Sequence, residues 1–160
     1  VTVEGKVAYL SLVQLQAGVT WQKSHYTRPE KWSKDSSVPA EKRIFRTPDW
    51  YGYFTATYSP VKSLNIALSG TYTGSMIVQH MKGYIPKDMA VTTPDFFDMN
   101  LKISYDFSLY KFITLQLNAG VQNIFNAYQR DFDQGKERDS GYIYGPSMPR
   151  SYFAGAKLMF

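Results

Sequence analysis

The sequence predicts an all-β chain: an antiparallel meander of six to seven strands, two-faced in the manner of a transmembrane β-barrel. Three observations predict it. Apolar and polar residues alternate with a period of two through most of the chain, the pattern of strands with unlike faces. The connections alternate in length, about four residues and then about ten to twenty. Outer-membrane barrels have short turns at one end and long loops at the other. Aromatic residues are abundant, with 13 Tyr, 10 Phe and 3 Trp. They gather near strand ends, at Trp21, Tyr26, Trp50, Tyr51, Tyr58, Phe96, Phe97, Tyr105, Phe107, Tyr128 and Tyr152, as interfacial girdles do.

Taken in order, residues 1–13 are apolar-rich but poorly defined, with Glu4-Gly5-Lys6 as a turn signal. A strand here is the weakest expectation. From Gln14 the pattern sharpens: Leu15, Ala17, Val19 and Trp21 oppose Gln14, Gln16, Gly18, Thr20 and Gln22. Residues 27–46 form a polar, basic loop with Pro29 and Pro39. Thr47-Pro48-Asp49-Trp50-Tyr51 starts the next strand, because Pro suits a position that donates nothing to a ladder. A tight turn follows at Ser59-Pro60-Val61-Lys62-Ser63. Leu64, Ile66, Leu68, Gly70, Tyr72 and Met76 then share one face, and a second loop covers roughly 82–93.

The clearest strand comes next. Phe97, Met99, Leu101, Ile103, Tyr105 and Phe107 alternate unbroken with Asp98, Asn100, Lys102, Ser104 and Asp106. A turn at Ser108-Leu109-Tyr110-Lys111 leads to Ile113, Leu115, Leu117, Ala119 and Val121, opposed by Thr114, Gln116, Asn118 and Gln122. A third loop spans 129–148. The last strand places Tyr152, Ala154, Ala156, Leu158 and Phe160 on one face. On those residues alone a soluble sandwich strand fits equally well; the aromatic clusters favour the membrane.

The chain also repeats itself. Gln14-Leu15-Gln16-Ala17-Gly18-Val19 recurs as Gln116-Leu117-Asn118-Ala119-Gly120-Val121, and Thr47-Pro48-Asp49-Trp50-Tyr51 as Thr93-Pro94-Asp95-Phe96-Phe97. The second match has an offset of 46 at its start, but Tyr58 against Tyr105 gives 47. A β-bulge or a shifted register would absorb the difference.

Composition bounds the function. A 160-residue chain makes one domain. No run approaches 18 apolar residues, so no transmembrane helix is expected. The net charge of +5 comes largely from the first loop and forms no nucleic-acid stripe. Without Cys there are no disulfides or thiolate metal sites. No signal peptide is visible at Val1, as expected of a processed chain or an internal piece of a longer one.

The run Gly120-Val121-Gln122-Asn123-Ile124-Phe125-Asn126-Ala127-Tyr128, followed by a loop and a strand ending in Phe160, resembles the C-terminal end of TonB-dependent outer-membrane receptors. Asn-Ile-Phe-Asn matches that family's Asn-(Leu/Ile)-Phe-(Asn/Asp) motif. Asp139-Ser140-Gly141-Tyr142-Ile143-Tyr144-Gly145-Pro146 with Pro149-Arg150-Ser151 looks like members from the Bacteroides group. The resemblance runs from about Gln14 to Phe160; no Pro-containing turn precedes Gln14. It implies that residues 1–160 are the C-terminal segment of a barrel of about 22 strands with a plugged lumen. The plug domain and the TonB-contacting segment would lie N-terminal to Val1. It further implies that Tyr152, Leu158 and Phe160 form the terminal signal read by the outer-membrane insertion machinery.

Enzymatic chemistry is not expected. His25 and His80 have no metal-ligand spacing, and His80 reads as a loop histidine, solvated or able to ligate haem or a metal chelate. Asp131, Asp133, Glu137 and Asp139 surround Gly135, but an EF-hand would need Gly where Lys136 stands. A loop salt-bridged through Arg130, Lys136 and Arg138 is the other reading. No nucleophile elbow or phosphate loop occurs, and no cofactor is expected.

The expected function is outer-membrane import of a scarce nutrient such as a siderophore, haem, cobalamin or glycan. Ligand would meet Trp32, Trp50, His80, Tyr84 and Tyr142 on extracellular loops, then pass a lumen lined by Gln16, Asn100, Lys102, Gln116 and Asn118. The expected partners are outer-membrane lipid, the TonB complex, the insertion machinery and the ligand. A small self-contained barrel with an adhesive or structural role, and a soluble binding sandwich, are the alternatives.

Overall fold

Seven strands form one antiparallel sheet in chain order: β1 (Thr2–Tyr9), β2 (Val13–Trp21), β5 (Trp50–Val61), β6 (Leu64–Thr73), β9 (Phe96–Tyr110), β10 (Ile113–Gln122) and β11 (Ser151–Met159). The computed structural model describes residues 1–160 and contains no helix. Two hairpins stand on the loops, β3 (His25–Glu30) with β4 (Glu41–Arg43) and β7 (Ile77–His80) with β8 (Met89–Thr92). The sheet is open, since β1 and β11 each pair on one side only. The all-β meander expected from the sequence is what the chain forms.

The pairing carries the sequence alternation across the whole sheet. One row runs Val7, Leu15, Ala56, Leu68, Leu101, Val121, Tyr152, one residue from each strand. The adjacent row, Lys6, Gln16, Thr55, Ser69 and Asn100, points to the opposite face. A one-residue slip at any strand would put its polar side chains among the apolar ones, so the two unlike faces hold the register. Neither face packs on a second layer. Only 12 of 160 residues are buried, and Val7 is 67% and Ile103 43% exposed. An apolar surface of this extent is unfavourable in water and matched to a bilayer.

Three turns join β1–β2, β5–β6 and β9–β10 at one end, and the three long loops leave the other. Details differ from the sequence reading. Residues 1–13 hold a regular strand, with Val3, Val7 and Tyr9 opposite Thr2, Glu4 and Lys6. Gly5 does not turn the chain; the turn comes at Leu10, with φ of 52°. The strands also run further into the turns than expected. β5 passes through Pro60 after a register shift between Tyr58 and Val61, and β9 continues to Tyr110.

The repeat offset has another cause than a bulge in the strand. Registers are continuous over Tyr51–Tyr58 and Phe96–Tyr105. Trp50 and Phe97 lie on the apolar face, whereas Phe96 lies on the polar one, so the extra residue precedes the strand. Of the girdle aromatics, Tyr51 and Phe96 face the polar side, and Tyr26 and Tyr128 belong to loops. Gly70 is required by close approach, because a Cβ there would stand 2.3 Å from the Phe54 ring of the paired strand.

Candidate functional site

The real core lies among the long loops. Met76, Val78 and Tyr142 are buried together, with Val91 and Tyr144 packed against them. The second and third loops are therefore one folded unit. His80 stacks on Tyr142 with ring centroids 3.7 Å apart, and its Nε2 lies 2.9 Å from both oxygens of Asp133. Asp133 also accepts the Asp139 N–H at 2.9 Å. The hydroxyls of Tyr142 and Tyr144 donate to Asp131 at 2.9 and 2.6 Å. The Gln129 side chain donates to Tyr142 O and accepts from Tyr144 N.

These contacts correct two readings. His80 is not a solvated loop histidine but is 7% exposed and ion-pairs with Asp133 when protonated. The carboxylates neither gather around a cation position nor pair with Arg130, Lys136 or Arg138. Asp131, Asp133 and Asp139 are spent on hydroxyl, imidazole and amide donors. Asp139, for example, accepts from Met81 N and Gly141 N, each at 2.8 Å.

The Asn-Ile-Phe-Asn run is a clasp at the root of the third loop. Asn123 and Asn126 both sit in the left-handed region, with φ of 51° and 55°. Asparagine tolerates that conformation better than most side chains. Asn123 Nδ2 donates to Ala127 O and Met148 O at 3.1 and 3.0 Å, and its Oδ1 accepts Ala127 N at 2.9 Å. Asn126 Oδ1 accepts Arg150 N at 2.9 Å. Both limbs of the loop are thereby tied together before the last strand. Between the asparagines, Phe125 turns to the apolar face and stacks on Phe97 at 5.6 Å. The sequence showed the motif but not this work.

The first loop is tied to the other two. Ser33 Oγ donates to Asp88 Oδ2 at 2.5 Å, and Lys87 Nζ to Ser37 O at 3.2 Å. The Arg46 guanidinium donates to Ile143 O at 2.8 Å and also to Gly141 O. Among the five expected ligand contacts, the structure joins only His80 and Tyr142, both buried. Trp32 is partly buried against Phe45 at 5.2 Å, with its N–H on Pro39 O. Trp50 is not on a loop: it opens β5 on the apolar face beside Trp21, 6.1 Å away. Tyr84 alone is freely presented, 57% exposed.

No protein-family model and no curated protein matches the chain. Two solved structures do. The ferric-catecholate import receptor Fiu from E. coli K12, in a closed form, matches with a TM-score of 0.66 at 21% identity, over 99% of this chain and 20% of that one. The ferric enterobactin receptor PfeA from Pseudomonas aeruginosa, in a mutant form, matches with a TM-score of 0.56 at 14% identity, over 99% and 21%. The likeness shows the fold: an open antiparallel meander sheet like one segment of these two receptors. The chain spans about one fifth of the length of these two receptors.

In this sheet all five expected lumen residues fall on the polar face. Gln16 Nε2 donates to Tyr53 OH at 3.3 Å, and Tyr53 OH donates to Glu4 Oε1 at 3.0 Å. Gln116 Nε2 donates to Asp106 Oδ1 at 2.8 Å. Asn100 Oδ1 accepts the Asn123 N–H at 2.9 Å, joining the wall to the clasp. Asn118 lies beside Gly155, and Lys102 is exposed without an ion pair. Tyr152 and Leu158 point to the apolar face of β11, 73% and 55% exposed, and Phe160 follows, 98% exposed.

Proposed function

We propose that residues 1–160 are the C-terminal segment of a TonB-dependent outer-membrane receptor that imports a scarce nutrient. The observation that carries this reading is the unbroken apolar row across all seven strands, backed by a polar face and crowned by a folded loop unit. Lipid covers the apolar face, and the polar face lines a lumen. The three long loops are extracellular. Their packing around Tyr142 presents Tyr84 and the rim of Trp32 to ligand rather than His80. A plug domain upstream and the TonB complex would supply gating and energy. The ligand class is a siderophore, haem, cobalamin or glycan. The chain does no covalent chemistry in this role.

Protease added to intact cells expressing the complete receptor tests the topology. Cleavage is expected within 27–46, 83–93 or 129–148, and none at Lys62-Ser63 or Lys111-Phe112. Cutting at the short turns in intact cells would invert the orientation. Recovery of the protein outside the outer-membrane fraction would end the receptor reading.

A further inference from the structure

Arg46 joins all three long loops. It stands at the end of the first loop, where its backbone N–H donates to Ile77 O of β7 at 2.8 Å. Its guanidinium reaches the third loop, donating from Nη1 to Ile143 O at 2.8 Å and from Nη2 to Gly141 O. Those two carbonyls flank Tyr142, the buried ring of the loop core. The chain is tightly folded there. The Ile143 N–H turns back to Gly141 O at 2.8 Å, and the Tyr142 N–H to Asp139 O at 3.1 Å.

Two features set Arg46 apart. Its backbone lies in the left-handed region, with φ of 59°. Arginine has no short polar group to bond its own backbone there, so its surroundings must hold the conformation. Its charge is also unanswered. Arg46 is exposed, enters no ion pair and spends the Nη1–Nη2 fork on two neutral carbonyls. A carboxylate or phosphate matches that fork with two parallel bonds and adds the attraction of opposite charge. Gly141 and Ile143 are themselves exposed, so water can replace the guanidinium on their carbonyls at little cost.

We propose that Arg46 is a latch on the third loop that an oxyanion in solution opens. A phosphate or carboxylate that takes Nη1 and Nη2 removes both donors from the turn carrying Tyr142. The bond to Ile77 is made by the backbone and stays, so the first loop keeps its place while the third is released. The turn is then held by its own loop and by the stack on His80. The proposal stands on the loop geometry and goes beyond the receptor reading.

Hydrogen exchange of the complete receptor in detergent tests it, read on peptides covering 139–145. Inorganic phosphate is the probe, and sodium chloride at equal ionic strength is the control. In wild type, phosphate should speed exchange roughly tenfold, the scale set by losing a hydrogen bond to a charged group. Chloride should not. Arg46→Ala keeps a Cβ at the same φ, so it removes the fork without relieving the backbone. It should exchange at the fast rate without phosphate and ignore its addition. Arg46→Gln still offers an amide donor to one carbonyl but carries no charge. It should exchange at an intermediate rate and also ignore phosphate. Peptides from β9 should exchange alike in every sample. If Arg46→Ala speeds them too, it is misfolded and Arg46→Gln decides alone. The proposal is overturned if phosphate leaves wild-type exchange unchanged, if either variant responds to phosphate as wild type does, or if a variant without phosphate is as protected as wild type. Outer-membrane recovery, scored separately, reports on the receptor reading and not on the latch.

Discussion

His80 lies flat on Tyr142, with ring planes 7° from parallel, although one residue ends β7 and the other belongs to the third long loop. The same imidazole reaches Asp133, while the Tyr142 hydroxyl reaches Asp131. Two loops are joined by two aromatic rings and two carboxylates. This makes the long-loop end of the sheet a folded body rather than a set of free loops. Its stability then depends on the protonation of the groups that hold it.

The pH dependence has a definite sign. Burial pushes the Tyr142 hydroxyl up, and the Asp131 hydrogen bond adds to it, to about 12. Burial pushes Asp131 up as well, but the Tyr144 and Tyr142 hydroxyls outweigh it and hold the carboxyl below its usual 3.8. The Tyr142 contribution is complete below the ordinary phenol value of 10.0 and lost as pH rises toward about 12. The Asp131 contribution is complete above 3.8 and lost as pH falls below that value. Phenolate absorbance should show late-titrating phenols, one fewer in Tyr142→Phe, with Tyr144, which burial also pushes up, among those remaining. A receptor whose phenols all ionise near 10.0 would contradict the assignment.

The two faces should respond oppositely to charge. Ile103 pairs with Ile66 and Ala119 on the apolar face, and Ser104 with Asn65 and Asn118 on the polar one. Ile103→Arg is expected to cost roughly 2–4 kcal/mol near the bilayer midplane, and Ser104→Arg little. Refolding yields of the complete receptor into lipid vesicles measure the difference; equal yields would reverse the faces.

Removing the clasp should loosen the third loop without unmaking the sheet. Asn123→Ala deletes three side-chain hydrogen bonds and places Ala at a φ of 51°. Asn123→Gly deletes the same bonds without the backbone strain. Alanine should therefore be the worse of the two, with lost bonds worth about 1 kcal/mol each and strain on top. Protease sensitivity within 129–148 is the readout. Glycine proving as damaging as alanine would show that the backbone conformation contributes nothing.

Deleting Phe160 separates recognition from burial. The residue is 98% exposed at the end of β11, so the folded sheet draws little from it. If the insertion machinery captures β11 by edge pairing with the terminal ring in a pocket, assembled receptor in cells should fall sharply. Refolding into detergent should be almost unchanged. A parallel fall in both, or in neither, would remove the signal role.

Most of the sheet was legible in the sequence, because strand faces follow from neighbours two residues apart. β9 is the plainest case: Phe97 to Phe107 alternates without a break, and the observed register keeps every one of those faces. The Asn123–Asn126 motif was equally visible. Elsewhere local signals misled. Gly5 looked like a turn, but pairing with Ala17 of β2 keeps it extended. Trp50 opens a strand as the sequence predicts, but its place among the loop ligand contacts fails because it stands on the apolar face. The loop unit was beyond local reading altogether. Only tertiary packing brings His80 to Asp133, Tyr142 to Asp131 and Arg46 to Ile143. Alternation specifies which side of a strand a residue takes, whereas a contact between loops depends on where distant backbones meet. That is set by the spacing of strands in the sheet and by the burial of Met76, Val78 and Tyr142 between the loops.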